Sequence, residues 1–177
     1  MVRRTKLSIL LFLMLFFTAC NGDPFHNRSG AIPMLPFSDT ELGIQGNRPF
    51  HCTQVGSGVY DCTDLNPAGN PVIMDQLAFD ASLEELVELV SQQVDTPVPT
   101  TESGVYRSAA LSWKLYTLET AIKDLGESTF HIQLAIAEDE VRCYLIALAT
   151  VPEDYQADQK MYDAIYNHAL YAFKPVE

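Results

Sequence analysis

The chain has 177 residues, 47% apolar and 19% charged, with 23 acidic side chains against 11 basic ones and a formal net charge of −12. That length fits one domain with a small appendage; the apolar share excludes a disordered chain, and four cysteines are too few for a disulfide scaffold. The acidity excludes a nucleic-acid binder, which needs Lys and Arg clustered on one face.

Arg3, Arg4 and Lys6 form a basic opening, Leu7–Phe17 is apolar apart from Ser8, and small Thr18 and Ala19 precede Cys20. This order predicts a secretory signal over residues 1–19. The apolar run falls short of the ~20 residues that a spanning helix needs. A membrane anchor, or a plain signal with an incidental cysteine, is the alternative. Phe17-Thr18-Ala19-Cys20 resembles the lipobox of a bacterial lipoprotein, with Phe17 where Leu is usual. The resemblance implies that Cys20 takes a diacylglyceryl group, becomes the new N-terminus and carries palmitate-type acyl chains. Two such chains, at about 0.8 kcal/mol per buried methylene, anchor stably where one would be marginal. Cleavage before Cys20 removes three basic residues and no acid, leaving 158 residues with a charge of −15. Anionic headgroups repel such a surface, so the membrane is reached through the lipid on Cys20. The expected location is a cell membrane or outer envelope, lipid-anchored and extracytoplasmic.

Residues 20–36, rich in Gly, Pro, Asn and Ser, read as a flexible tether, and residues 37–177 as a single folded domain. Glu41–Gln45 is expected as a short strand closed by Gly46 and Asn47. His51–Val55 and Val59–Thr63 flank Gly56-Ser57-Gly58, a hairpin signal. Leu65–Asn70 reads as a turn and Pro71–Phe79 as a strand. Ser82-Leu83-Glu84-Glu85 is a capping box, and Leu83, Leu86, Val87, Val90 and Val94 follow at helical spacing. Residues 95–103 hold two prolines and read as a loop. Leu111–Leu118 and Phe130–Ala137 read as strands, the latter with Phe130, Ile132, Leu134 and Ile136 on one face and His131 and Gln133 on the other. Val141–Ala149 is apolar on both faces, which predicts a central strand covered on both sides. A helix from Glu153 or Asp158 to Ala172, stopped by Pro175, closes the chain. The order predicts an α+β fold, an antiparallel sheet flanked by helices.

Several of these segments resemble the PsbP/Mog1-like domains. They are Phe37-Ser38-Asp39 with Leu42-Gly43-Ile44 and Pro49, the helix at 82–94, Trp113-Lys114-Leu115-Tyr116, Leu134-Ala135-Ile136-Ala137-Glu138, Tyr144-Leu145-Ile146-Ala147-Leu148, and Met161-Tyr162 with Ala172-Phe173-Lys174-Pro175. Phe50-His51-Cys52 stands where that family commonly has a tryptophan. The resemblance implies an α/β/α sandwich and a non-enzymatic binding or accessory role, as in photosystem subunits, a Ran-binding factor and extracytoplasmic proteins.

Cys52 and Cys62 lie symmetrically about Ser57, so a regular hairpin sets them opposite each other. A non-hydrogen-bonded pair there has Cα atoms about 4.5 Å apart, within disulfide range. Two unpaired thiols, or zinc held by His51, Cys52 and Cys62, are the alternatives. Cys143 on the two-sided strand is expected in the core. Gly56-Ser57-Gly58 lacks the spacing of a hydrolase elbow, and Glu138-Asp139-Glu140 reads as a solvated turn before a cation site. Tyr155, Tyr162, Tyr166 and Tyr171 are read first as core and helix packing, and as a candidate interaction surface in the functional alternative. No residue is assigned a catalytic, metal or cofactor role. The expected function is a lipid-anchored extracytoplasmic binding or accessory protein with an envelope protein partner. A small-molecule or metal carrier with a pocket between sheet and helix is the alternative, and a hydrolase or its remnant the third.

Overall fold

The structure, a computed structural model, describes residues 32–176. The expected signal, Cys20 and most of the tether lie outside them. Paired backbone starts at Met34, so the last three residues assigned to the tether belong to a strand.

Among the described residues ten strands and three α-helices run in the order β1 Met34–Asp39, β2 Ile44–Pro49, β3 Thr53–Gly56, β4 Val59–Asp61, β5 Val72–Phe79, α1 Leu83–Gln93, β6 Gly104–Arg107, β7 Ser112–Ala121, β8 Thr129–Glu138, β9 Cys143–Thr150, α2 Pro152–Ala157, α3 Gln159–Ala172 and β10 Lys174–Pro175. Seven strands form the main sheet, ordered β3-β4-β5-β9-β8-β7-β6 and antiparallel throughout. β9 is the middle strand, which explains why both of its faces are apolar. A smaller sheet, β1-β2-β10, packs with α3 on one face of the main sheet. α1 packs on the other face. The fold is therefore α+β, with helices on both faces of an antiparallel sheet.

The two helical layers differ in how tightly they close. On α3, Tyr162, Ile165, Tyr166, Ala169 and Leu170 are all buried. Phe173, just beyond it, meets Trp113 edge-on with centroids 5.2 Å apart. On α1 only Leu86 is fully buried, while Leu83, Val87 and Val90 are half-exposed. Ser82 and Glu85 form the expected capping box, with the Glu85 amide donating to Ser82 Oγ and the Ser82 amide donating to Glu85 Oε2. The far end of α1 is tied to the sheet through Lys123 Nζ, which donates to the Gln92 carbonyl at 2.6 Å, and the Thr96 amide, which donates to Thr120 Oγ1 at 2.8 Å.

One expected strand is corrected, and the bounds of the closing helix are resolved. The strand expected at Glu41–Gln45 is instead a turn over 40–43 flanked by β1 and β2. Asp39 builds it by accepting from the Glu41 and Leu42 amides, an Asx turn that draws the chain out of extended form. Of the two starts weighed for the closing helix, Asp158 holds: α3 is Gln159–Ala172 with Asp158 at its N-cap, and the segment from Glu153 belongs to the separate α2 because Asp158 leaves helical geometry between them. α3 ends at Ala172 as expected, and Lys174–Pro175 beyond it pairs with β2 on an edge where proline is tolerated.

A candidate ligand cleft beneath the first helix

The loose seating of α1 leaves a cleft of about 100 Å³ between it and the sheet. Its floor comes from strand alternation. On β5, Ile73, Asp75, Leu77 and Phe79 point toward α1, while Val72, Met74 and Ala78 join the opposite core. β9 lies next to β5 in register, with Asp75 opposite Ala147 and Ile73 opposite Ala149. Two alanines on the central strand leave room that larger side chains would fill. Ala147 is half-exposed although it sits mid-sheet. The roof is α1, through Leu86, Leu89, Val90 and Gln93.

Asp75 is the one ionisable side chain of this otherwise apolar lining; Gln93 is its other polar residue. The residue as a whole is part-exposed, yet its Oδ1 is buried and has no hydrogen-bond partner. Burial alone pushes its carboxyl from the ordinary 3.8 up to about 7. Such a carboxyl is costly unless something supplies a hydrogen or a charge. Carboxyls whose ionisation is shifted by burial in a cleft are enriched at functional sites. Sequence reading passed over Asp75, although an acid in the middle of the apolar run Val72–Phe79 was the available signal.

The residues singled out from the sequence sit elsewhere. Cys52 and Cys62 are joined in a disulfide with Cα atoms 4.2 Å apart, which removes both from any zinc site. Cys143 is a buried core thiol. Ser57 Oγ donates to Asp39 Oδ2 at 2.6 Å and serves to tie the hairpin to the β1–β2 turn.

The four tyrosines do not form one surface. Tyr162 and Tyr166 are core residues, 1% and 5% exposed, because helical spacing turns them onto the sheet with Ile165 and Ala169. Tyr171 alone points outward, at 74% exposure. Tyr155 is half-buried, stacked on His131 with centroids 3.7 Å apart, and its hydroxyl donates to Asp163 Oδ1 at 2.9 Å. Gln133 Nε2 donates to the same oxygen at 2.8 Å, so Tyr155 belongs to a network that fixes α2 and α3 to β8.

A second hollow, open and about 490 Å³, lies near the start of α1 and includes Asp80, Glu85, Glu138, Asp139, Glu140 and Arg142. Its central carboxylate is already engaged. Burial works against ionisation of Asp139, but donation from the Tyr144 hydroxyl and the Val141 and Arg142 amides outweighs it and holds that carboxyl below the ordinary value. Among the described residues no three His, Cys, Asp or Glu side chains gather as a metal site, and no helix is long and apolar enough to cross a membrane.

No family model matches the chain, and no curated protein matches it. Among solved structures, the chain is similar to the solution structure of cyanobacterial PsbP (CyanoP) from Synechocystis sp. PCC 6803. The match covers 89% of this chain and 98% of that one, with a TM-score of 0.47 and 10% identity.

Proposed function

We propose that the chain is a binding protein rather than an enzyme, held outside the cytoplasm by lipid on Cys20, and that its ligand seat is the cleft beneath α1. The observation that carries the seat is Asp75 Oδ1, buried without a partner in an apolar recess between helix and sheet. A concave apolar lining with one orienting polar group is the usual form of a small-ligand site. This favours the carrier form of the reading over docking through a tyrosine surface, since Tyr162 and Tyr166 lie in the core. Asp75 and Ala147 lie on paired central strands, and the roof is tied to the sheet at the C-terminal end of α1.

Two features support the compartment. The Arg3–Cys20 segment has the order of a lipoprotein signal. The Cys52–Cys62 disulfide would persist in an oxidising space and not in the cytosol.

The cleft is tested by titrating small amphiphilic fragments into ¹⁵N-labelled protein. Amide shifts concentrated on Asp75, Ala147 and the α1 segment 86–93 are expected; a fragment set that leaves those residues unmoved overturns the seat. Anchoring is tested separately with labelled palmitate in cells. Incorporation should be lost in Cys20→Ser, and continued labelling of that variant would rule the lipid assignment out.

A further inference from the structure

We infer that the ligand of the cleft presents a primary alkylammonium group, its nitrogen meeting Asp75 and its short carbon stem lying on Ala147 and Ala149. This rests on reading the cleft as a ligand seat and adds the chemical class of what enters it.

Three observations select this group. The first is charge. Among the lining residues Asp75 is an acid with no Lys, Arg or His beside it, so an ionised carboxylate there lacks compensation from the protein. A cationic donor supplies charge and hydrogen bond together, which a neutral donor does only in part and an anion not at all. An ammonium also brings three N–H donors, one of them for Asp75 Oδ1, and Gln93 is the other polar residue of the lining.

The second is size. A cavity of 150 Å³ accommodates benzene, with six heavy atoms, so the 100 Å³ here suits a group of about four or five. A four-carbon stem ending in nitrogen has that bulk. The floor of alanines and the roof of Leu86, Leu89 and Val90 give the stem apolar contact along its length.

The third is the field of the whole molecule. A net charge of −12 raises the local concentration of cations and lowers that of anions.

This chemistry reaches the cleft either as a free amine or as a lysine side chain of another polypeptide, and the experiment separates the two. Full-length protein carrying Cys20→Ser, so that it is recovered without lipid, is titrated at pH 8.5 with n-butylamine, n-butanol, butyrate and Nα-acetyl-lysine N-methylamide, following the cleft amides by NMR. At that pH the amine is charged and Asp75 is ionised. We expect n-butylamine to bind about tenfold more tightly than n-butanol, and butyrate not to bind. Asp75→Asn, which keeps the side-chain shape, should bring the amine down to the level of the alcohol. If the lysine derivative binds as n-butylamine does, the seat admits a polypeptide's lysine; if n-butylamine alone binds, the natural ligand is a free amine. Either result upholds the inference. Equal binding of n-butanol and n-butylamine at the cleft, or an amine preference that survives Asp75→Asn, overturns the ammonium assignment and leaves the seat standing. Absence of any cleft shift with all four probes overturns the seat itself, and the inference with it. A dispersed spectrum of Asp75→Asn excludes misfolding as the cause of its loss.

Discussion

Asp75 and Ala147 face each other across β5 and β9, the carboxyl carrying an unpartnered oxygen and the alanine leaving the space beside it open. This juxtaposition sets a pH dependence of stability. Burial raises the Asp75 carboxyl to about 7, so between roughly pH 4 and pH 7 the folded chain holds a proton that the unfolded chain has lost. The contribution is fully present below the unfolded value of 3.8 and is lost as pH rises through 7. At about 1.4 kcal/mol per unit, the loss by pH 8 is on the order of a few kcal/mol, reduced by water entering the cleft mouth. Asp75→Asn should therefore be close to neutral at pH 4 and clearly stabilising at pH 8, read from urea midpoints. A wild-type protein that gains stability against this variant on going from pH 4 to pH 8 would contradict the assignment.

The β3–β4 hairpin depends on Gly58 for two separable reasons. Gly58 and Gly69 both adopt left-handed backbone, with φ of 68° and 71°. A Cβ on Gly69 meets nothing within 4 Å, whereas one on Gly58 would fall on the Gln76 carbonyl oxygen and lie 2.8 Å from Leu42 and Leu77 side-chain carbons. Gly69→Ala should cost only the backbone term, about 1–2 kcal/mol. Gly58→Ala must also push β4 away from β5, where the Gln76 amide donates to the Gly58 carbonyl at 2.7 Å. Denaturant unfolding should show Gly58→Ala as the more destabilised by at least about 2 kcal/mol; equal losses would show that the hairpin yields without cost.

Much of this architecture was readable because local signals and tertiary placement agree. The capping box at Ser82 and Glu85 fixes the start of α1 by chemistry internal to four residues. The unbroken apolar run of β9 states that both faces are covered. β1 and β2 are the opposite case, with a weak local pattern, and Phe37–Asp39 enters only through the family resemblance. Met34–Asp39 contains Pro36, and Ile44–Pro49 contains Gly46, Asn47 and Pro49, so neither has the alternation of a strand. What holds them is distant: β10 pairs with β2 from the other end of the chain, and buried Gln76 donates to the Asn47 carbonyl at 2.8 Å. The cleft was hidden by the same logic. Asp75 lies in a strand that reads as core, and only the register with Ala147 shows that its oxygen faces a space. The tyrosines of α3 were open in the sequence, because i, i+4 spacing fits a core face as well as an exposed one; Tyr162 and Tyr166 take the favoured core reading and Tyr171 is exposed.

The Cys52–Cys62 bridge closes the hairpin beyond its last paired residues, Thr53 and Asp61. A ten-residue separation corresponds to about 2–3 kcal/mol of lost unfolded-state entropy. Both cysteines are buried, at 4% and 0% exposure, so reduction in the folded state should be slow, and alkylation after denaturation with reductant should modify two more thiols than without it. The double variant Cys52→Ala/Cys62→Ala should lose about that stability or somewhat more, since two buried sulfurs go with the bond. Unchanged stability would place the hairpin outside the cooperative unit of unfolding.

Filling the floor of the cleft separates packing from electrostatics. Ala147→Leu adds three carbons where about 100 Å³ is open, a volume that receives them without forcing β8 and β5 apart. At pH 5, where Asp75 is protonated, the variant should be more stable than wild type by about 0.5–2 kcal/mol, the usual yield of filling a cavity. At pH 8 the gain should shrink, because the new leucine displaces water from beside an ionised carboxylate and raises the cost of keeping it charged. Combining Ala147→Leu with Asp75→Asn should restore the gain at pH 8, and the double-mutant cycle measures the coupling directly. The same leucine should abolish n-butylamine binding. A variant that folds, gains stability equally at pH 5 and pH 8 and still binds the amine with wild-type affinity would move the ligand seat away from Ala147.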